Sequence, residues 1–310
     1  MFERILMPLD GSELAEISLP YGEELAAKLG SEIILYHVRG TDQAELEHIH
    51  EVYLDTVAGN ARRIVGETNK GAKVTVEIES GEPAQNICDL VEKNKIDLIV
   101  MTAVSASGLK IGKMLGSVTD HVCHTVPVPV MIVRPQYAKR LRWKKQVFNN
   151  ILISLDGSEL SKRALPVGEE LAAGLKIPIT LFEMVPMVYP SANVSNMYGS
   201  DYVKINDRDE QVIEYKYAKA NEAEESRAQV ELLEIEKQLK EKELTVDRKV
   251  TSEIDTAKEI IDISKGEGAD LLIMSTHGRS GLDRWLLGSV TEKVLRYGDI
   301  PLLIVNARAL

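Results

Sequence analysis

The sequence repeats itself, and a repeat of this length constrains the fold more than any single motif. Ile5-Leu6-Met7-Pro8-Leu9-Asp10-Gly11-Ser12-Glu13-Leu14 returns as Ile151-Leu152-Ile153-Ser154-Leu155-Asp156-Gly157-Ser158-Glu159-Leu160. Leu19-Pro20 and Gly22-Glu23-Glu24-Leu25-Ala26-Ala27 return at the same offset, as Leu165-Pro166 and Gly168-Glu169-Glu170-Leu171-Ala172-Ala173. Asp97-Leu98-Ile99 matches Asp270-Leu271-Leu272, and Gly116-Ser117-Val118-Thr119 matches Gly288-Ser289-Val290-Thr291, both at a larger offset. The second copy therefore carries an insertion in its middle, and the first has one more residue between Gly108 and Gly116. A chain of 310 residues doubled in this way fits two domains of about 150 residues.

Each copy alternates short apolar runs with stretches of helical spacing. In the first, Arg4–Leu9 is apolar enough to be a strand buried on both faces. Asp10-Gly11-Ser12 reads as a turn whose serine caps a helix running to Leu29, with Gly30 as its stop. Strands follow at Ile33–Val38, Lys73–Ile78, Ile96–Met101 and Val128–Val133. Helices are expected over about Asp42–Asn69, with Leu54, Val57, Ala61 and Ile64 on one face, and over Pro83–Lys93 and Ser117–His124. Strands separated by helices imply parallel crossovers and a doubly wound α/β sheet. The expected division is a first domain over residues 1–135, a basic, aperiodic linker over 136–149 and a second domain over 150–310.

The insertion follows the strand Ile179–Val185. Pro186–Asn206 reads as a loop, and Asp207–Leu244 as a charged helix about 55 Å long. Ala228, Leu232, Ile235 and Leu239 form its apolar stripe. The helix is either packed along the sheet with a solvated outer face or a partner-binding or dimerising element. If it serves packing or partners alone, its removal leaves ligand affinity intact.

Composition excludes several classes. The net charge of -11 argues against a dedicated nucleic-acid binder. No apolar run reaches the roughly 18 residues of a membrane helix, and Met-Phe-Glu-Arg leads straight into a strand with no signal-peptide pattern. Cys88 and Cys123 lack CxxC spacing and read as reduced core residues, so the cytoplasm is the expected compartment.

The candidate chemistry lies where apolar runs end. In a doubly wound sheet, ligands sit beyond the carboxyl ends of strands, where neighbouring crossovers diverge. There the second copy supplies Ser154-Leu155-Asp156, then Met184, then Met274 and the loop Ser275-Thr276-His277-Gly278-Arg279 leading to Gly288. Gly278 and Gly288 have nine residues between them, which is neither a dinucleotide fingerprint nor a P-loop. Ser289, Val290 and Thr291 open a helix whose amides and hydroxyls suit a phosphate. Asp156 is either an acceptor for ribose or adenine groups or only the start of an Asx turn, and Met184 is either a wall against a base or plain core. His277 shapes its loop. No lysine stands in a P-loop position, and no nucleophile triad or metal-ligand cluster accompanies the loop. The residues favour holding a nucleotide over consuming one. Asp156 or Asp283 could meet Mg²⁺ through phosphate.

With Asp10-Gly11-Ser12, Asp156-Gly157-Ser158 and the Gly278 to Gly288-Ser289 spacing, the chain resembles the universal stress protein family, as a tandem member. The resemblance covers nearly the whole sequence and implies two five-stranded parallel sheets of order 3-2-1-4-5, of the adenine-nucleotide α-hydrolase-like kind. It implies ATP, with or without Mg²⁺, as ligand, and pairing through strand five of each domain, as an intrachain pseudo-dimer or a homodimer. Ser275 stands where the family has a glycine. The first copy retains Pro8, Asp10, Val38 and Gly116-Ser117-Val118-Thr119 but has Thr102-Ala103-Val104-Ser105 in place of Ser275-Thr276-His277-Gly278. Weak or no ATP binding is expected there. The functional expectation is a non-enzymatic stress-response protein of the cytoplasm that binds ATP in its second domain as a sensor or adaptor, with an unidentified protein partner and no nucleic-acid or membrane role. The alternatives are a slow ATPase or adenylyl-type enzyme, and a scaffold that takes no nucleotide.

Overall fold

The computed structural model describes residues 1–40, 47–103, 115–135, 146–187, 207–276 and 287–306, the side chains of residues 47 and 207–214 excepted. Its first half runs β1 (Arg4–Pro8), α1 (Glu13–Glu16), α2 (Leu19–Leu29), β2 (Glu32–Arg39), α3 (Glu47–Thr68), β3 (Val74–Ser80), α4 (Pro83–Lys93), β4 (Leu98–Thr102), α5 (Ser117–Thr125) and β5 (Val130–Val133). The second half runs β6 (Ile151–Leu155), a 3-10 turn (Ser161–Arg163), α6 (Ala164–Leu175), β7 (Ile179–Pro186), α7 (Asp207–Glu241), β8 (Val246–Glu253), α8 (Thr256–Gly266), β9 (Leu271–Ser275), α9 (Ser289–Tyr297) and β10 (Leu302–Val305).

The strands form a single ten-stranded sheet in the order β3-β2-β1-β4-β5-β10-β9-β6-β7-β8. Read outward from its middle, each half has the order 3-2-1-4-5 backwards. Within each half the described pairings are parallel. The halves meet antiparallel, with Leu302 opposite Ile132, Leu303 opposite Met131 and Ile304 opposite Val130. The innermost strands are apolar and buried along their length, because helices cover both faces of a parallel sheet. The antiparallel seam also fixes an orientation: the carboxyl ends of β1 and β4 point to one edge of the sheet, and those of β6 and β9 to the opposite edge.

Three expectations are corrected. The single helix expected from Ser12 to Leu29 is two, with Ser12 capping α1 and α2 starting afresh after Ser18 with Pro20 in its first turn. Proline has no amide to continue the earlier helix, so it restarts one. On α3, Ile64 is exposed, and Val65 joins Leu54, Val57, Ala58 and Ala61 on the buried face. Of the two free cysteines, Cys123 is buried but Cys88 is half-buried, packed at the margin of the core.

Residues 136–145 of the expected linker lie outside the described residues. Its end is packed: Val147 and Phe148 are buried, the Phe148 ring meets Tyr21 edge-on at 5.6 Å, and the Val147 amide donates to Glu24 at 2.6 Å. Among the described residues no helix is long and apolar enough to cross a membrane.

Helix α7 has 35 residues, about 52 Å of rise. Its Ala228, Leu232, Ile235 and Leu239 are buried, and the helix packs against β7 and β8. Charged contacts fasten its C-terminal half. Arg227 meets the fully buried Glu183 of β7 at 2.5 Å and Glu231 at 2.5 Å, and just past the helix end Lys242 meets Glu169 of α6 at 2.7 Å. Removing Arg227 alone takes an ion pair from a buried carboxylate, which is destabilising.

Glu23 on α2 is a second buried acid, and burial pushes its carboxyl up to about 7 from the ordinary 4.5, with Arg63 opposing weakly. The unfolded chain ionises this group near pH 4.5, whereas the folded chain keeps its proton to about pH 7. Its contribution to stability is therefore complete below pH 4.5 and lost as pH rises through 7. Glu23→Gln is expected to raise unfolding free energy at pH 8 by on the order of 1–3 kcal/mol and to change it little at pH 4, measured by urea denaturation at both values.

Candidate functional site

Where β6 and β9 end side by side, their crossovers leave in different directions and open a cavity of about 260 Å³. Of the residues expected there, Ser154, Leu155, Asp156, Met184, Met274 and Ser275 line it, as do Gly288 and Ser289-Val290-Thr291. His277, Gly278 and Arg279 lie outside the described residues, as does Asp283. Thr276 does not line the cavity. It is buried beneath it, its amide donating to Val305 at 3.0 Å and its carbonyl accepting from Gly288 at 2.6 Å.

The floor is held by hydroxyls. Thr291 donates its Oγ1 to the Ser275 carbonyl at 3.0 Å, tying the first turn of α9 to the end of β9. Gly288 is the N-cap of α9 in an extended conformation, and no side chain caps the helix. The first-turn amides of α9 are thus uncapped by side chain and border the cavity, an arrangement that favours an anion. Asp156 does start an Asx turn: its Oδ1 accepts from the Ser158 amide at 3.0 Å and the Ser158 hydroxyl at 2.6 Å. It also lines the cavity, so the two readings of this residue are compatible. Met184 is both core and wall, being almost wholly buried yet bordering the cavity.

Four lining residues were not anticipated from the sequence: Ser161, Pro186, Thr256 and Ile260. Ser161 accepts from the Asp156 amide at 3.3 Å and donates to the Ser158 carbonyl at 2.8 Å, which folds the turn back over the cavity. Thr256 and Ile260 come from α8, after β8. The strand-end rule reaches them once β8 is placed two strands from β6, on the far side of β7.

The first half builds the same scaffold at the opposite edge of the sheet. Its cavity of about 230 Å³ is bordered by Pro8, Asp10, Val38, Val118 and Thr119, whereas Gly116 and Ser117 stand off it. Thr119 donates to the Thr102 carbonyl at 2.9 Å, and Gly116 caps α5 with its amide on Ala103 at 2.8 Å. The lining differs in kind. Pro8 replaces Ser154, Ala15 replaces Ser161 and Pro83 replaces Thr256, so three hydroxyls of the second cavity become apolar in the first. Residues 104–114, the remainder of its loop, lie outside the described residues. No group of three or more His, Cys, Asp or Glu side chains suited to a metal occurs among the described residues.

The universal stress protein family model matches residues 1–134 and again 148–306. A universal stress protein of Synechocystis is 24% identical over 335 aligned positions, which cover 97% of this chain and 99% of that one. Another from Bacillus subtilis is 26% identical over 160 positions, 52% of this chain and 100% of that protein. One from Methanocaldococcus jannaschii is 43% identical over 51 residues, which span 16% of this chain and 32% of that protein. Among solved structures, a universal stress protein from Archaeoglobus fulgidus superposes with a TM-score of 0.66 at 19% identity, covering 99% of both chains, a likeness of fold.

The two buried threonine contacts are equivalent and far apart, so their removal is expected to be additive. Thr119→Val and Thr291→Val each delete one buried donor and are expected to lower unfolding free energy by about 1 kcal/mol. Chemical denaturation of both single variants and the double variant checks this, and a double variant as stable as the parent contradicts it.

Proposed function

Since this chain belongs to the universal stress protein family, we propose that its second half holds one adenine nucleotide, ATP in the first instance, as a non-enzymatic sensor or adaptor of the cytoplasm. The observation that carries this reading is the meeting of two features at one cavity. The uncapped first turn of α9 borders the same space as the apolar wall made by Leu155, Met184 and Ile260. A nucleotide needs both, an anion site for its phosphates and a flat apolar surface for its base. Ser154, Ser161 and Thr256 add hydroxyls to the same lining, partners for a ribose.

The residues favour retention of the nucleotide. The Asp156 carboxylate already receives two hydrogen bonds from Ser158, which ties one of its oxygens to the turn. Mg²⁺, where used, would arrive on the phosphates. In the first half the loss of three hydroxyl positions argues for weak or no nucleotide binding. The pairing of β5 with β10 supports a strand-five association within one chain, as a pseudo-dimer, over one with a second copy.

Gly288 sits at a φ of -58°, which valine also adopts, so Gly288→Val changes the cavity without straining the backbone. It is expected to abolish ATP binding by the full chain in isothermal titration calorimetry while leaving the melting temperature of the ligand-free protein within a few degrees. Unchanged ATP affinity would falsify the placement of the phosphates.

A further inference from the structure

The insertion helix α7 packs on the sheet's surface and also touches the turn that lines the second-half cavity. Along β7 successive side chains point to opposite faces. Met184 and Pro186 border the cavity, so Glu183 points to the other face, where Arg227 of α7 meets it. The guanidinium of Arg227 continues past Glu183 onto the Asp156-Gly157-Ser158 turn. A methyl group placed on Gly157 would stand 2.6 Å from Nη1 and 2.7 Å from Nη2 of Arg227, so the planar head lies against a bare Cα. Only glycine permits that approach, and the φ of +77° at Gly157 favours glycine as well.

A second tie lies five residues along the same segment. Glu231 of α7, which also holds Arg227, reaches Lys162 at 3.2 Å, and Lys162 bonds Glu159 at 2.6 Å. Flanking these ties are Asp156, which borders the cavity just before Gly157, and Ser161, which lies just before Lys162 and whose hydroxyl holds the Asp156 amide. Among the described residues the first half shows no such arrangement. A methyl placed on Gly11 meets nothing within 4 Å, and the strand position equivalent to Glu183 is His37, stacked on His50 of α3 at 4.4 Å.

We propose that Arg227 is a positioning residue for the second-half ligand site, so that the seating of α7 sets the affinity of that site. The guanidinium fork, anchored on Glu183 and Glu231, braces the turn that presents Asp156 and Ser161. This rests on the nucleotide reading for its ligand and on contacts within the chain for its mechanism. It gives the insertion a role beyond packing or partners alone, the condition under which its removal would spare affinity.

The test uses the full chain and two variants. Arg227→Lys keeps a cation for Glu183 but loses the planar fork that covers Gly157. Arg227→Ala combined with Glu183→Gln removes the fork and the buried charge together. Both are expected to fold with native circular dichroism and to bind ATP about 5- to 150-fold more weakly than the parent, the usual span of coupling between two sites. Lys242→Ala, which frees only the far end of the helix, is expected to bind ATP as the parent does. Hydrogen exchange without ligand is expected to quicken at residues 156–161 in both variants and to be unchanged in the strand β10. Parental ATP affinity in the folded variants overturns the proposal. If the parent itself binds no adenine nucleotide, the functional reading fails, and exchange at 156–161 alone decides the brace: parental rates overturn it and faster rates uphold it.

Discussion

The antiparallel contact between β5 and β10 is the constraint on which the rest of the molecule depends. Each half on its own is a five-stranded parallel sheet ending in a short, wholly apolar strand, Val130–Val133 or Leu302–Val305. Such an edge is a ready template for pairing with another chain. Joining the two edges satisfies both ladders at once and continues one buried layer across the centre of the sheet. The join also settles where ligands can go. Parallel strands within each half and an antiparallel seam between them place the two cavities at opposite edges, so no ligand bridges them and each must be judged on its own lining.

Judged in that way, the copies have diverged by side chain more than by backbone. Both keep the glycine-capped helix after strand four, the threonine that ties it to that strand, and the Asp-Gly-Ser turn. These features build the cavity. What differs is its lining, in which three hydroxyl positions of the second half have become Pro8, Ala15 and Pro83 in the first. Such a scaffold serves packing in either half, because the buried threonine contacts cost stability to remove whether or not anything binds above them.

Much of this was legible in the sequence because it was written in local terms. Apolar runs such as Leu98–Thr102 and Leu271–Ser275 are readable as buried strands, and the duplicated Gly-Ser-Val-Thr marks the same helix start twice. The stripe Ala228, Leu232, Ile235 and Leu239 showed which side of a charged helix is buried. What escaped was decided elsewhere. Ile64 and Val65 are neighbours of similar hydropathy, and the pitch of α3 against α2 chooses between them. Val147 and Phe148 stand in a basic, aperiodic stretch, and only the pocket beside Tyr21 makes them core. Arg227 is one cation among many on α7, and its place over Gly157 depends on strand register and on a glutamate 44 residues away. Ser161 and Thr256 look ordinary until the turn and the β8–α8 junction are brought to the same cavity.

The central claim is an asymmetry: two equivalent scaffolds in one chain, of which the second alone holds an adenine nucleotide. Native mass spectrometry of the full chain in saturating ATP tests it most directly, since it counts ligands on each molecule. The account predicts a single added nucleotide per chain. Two nucleotides per chain would contradict the distinction drawn between the cavities, and none would contradict the nucleotide reading itself.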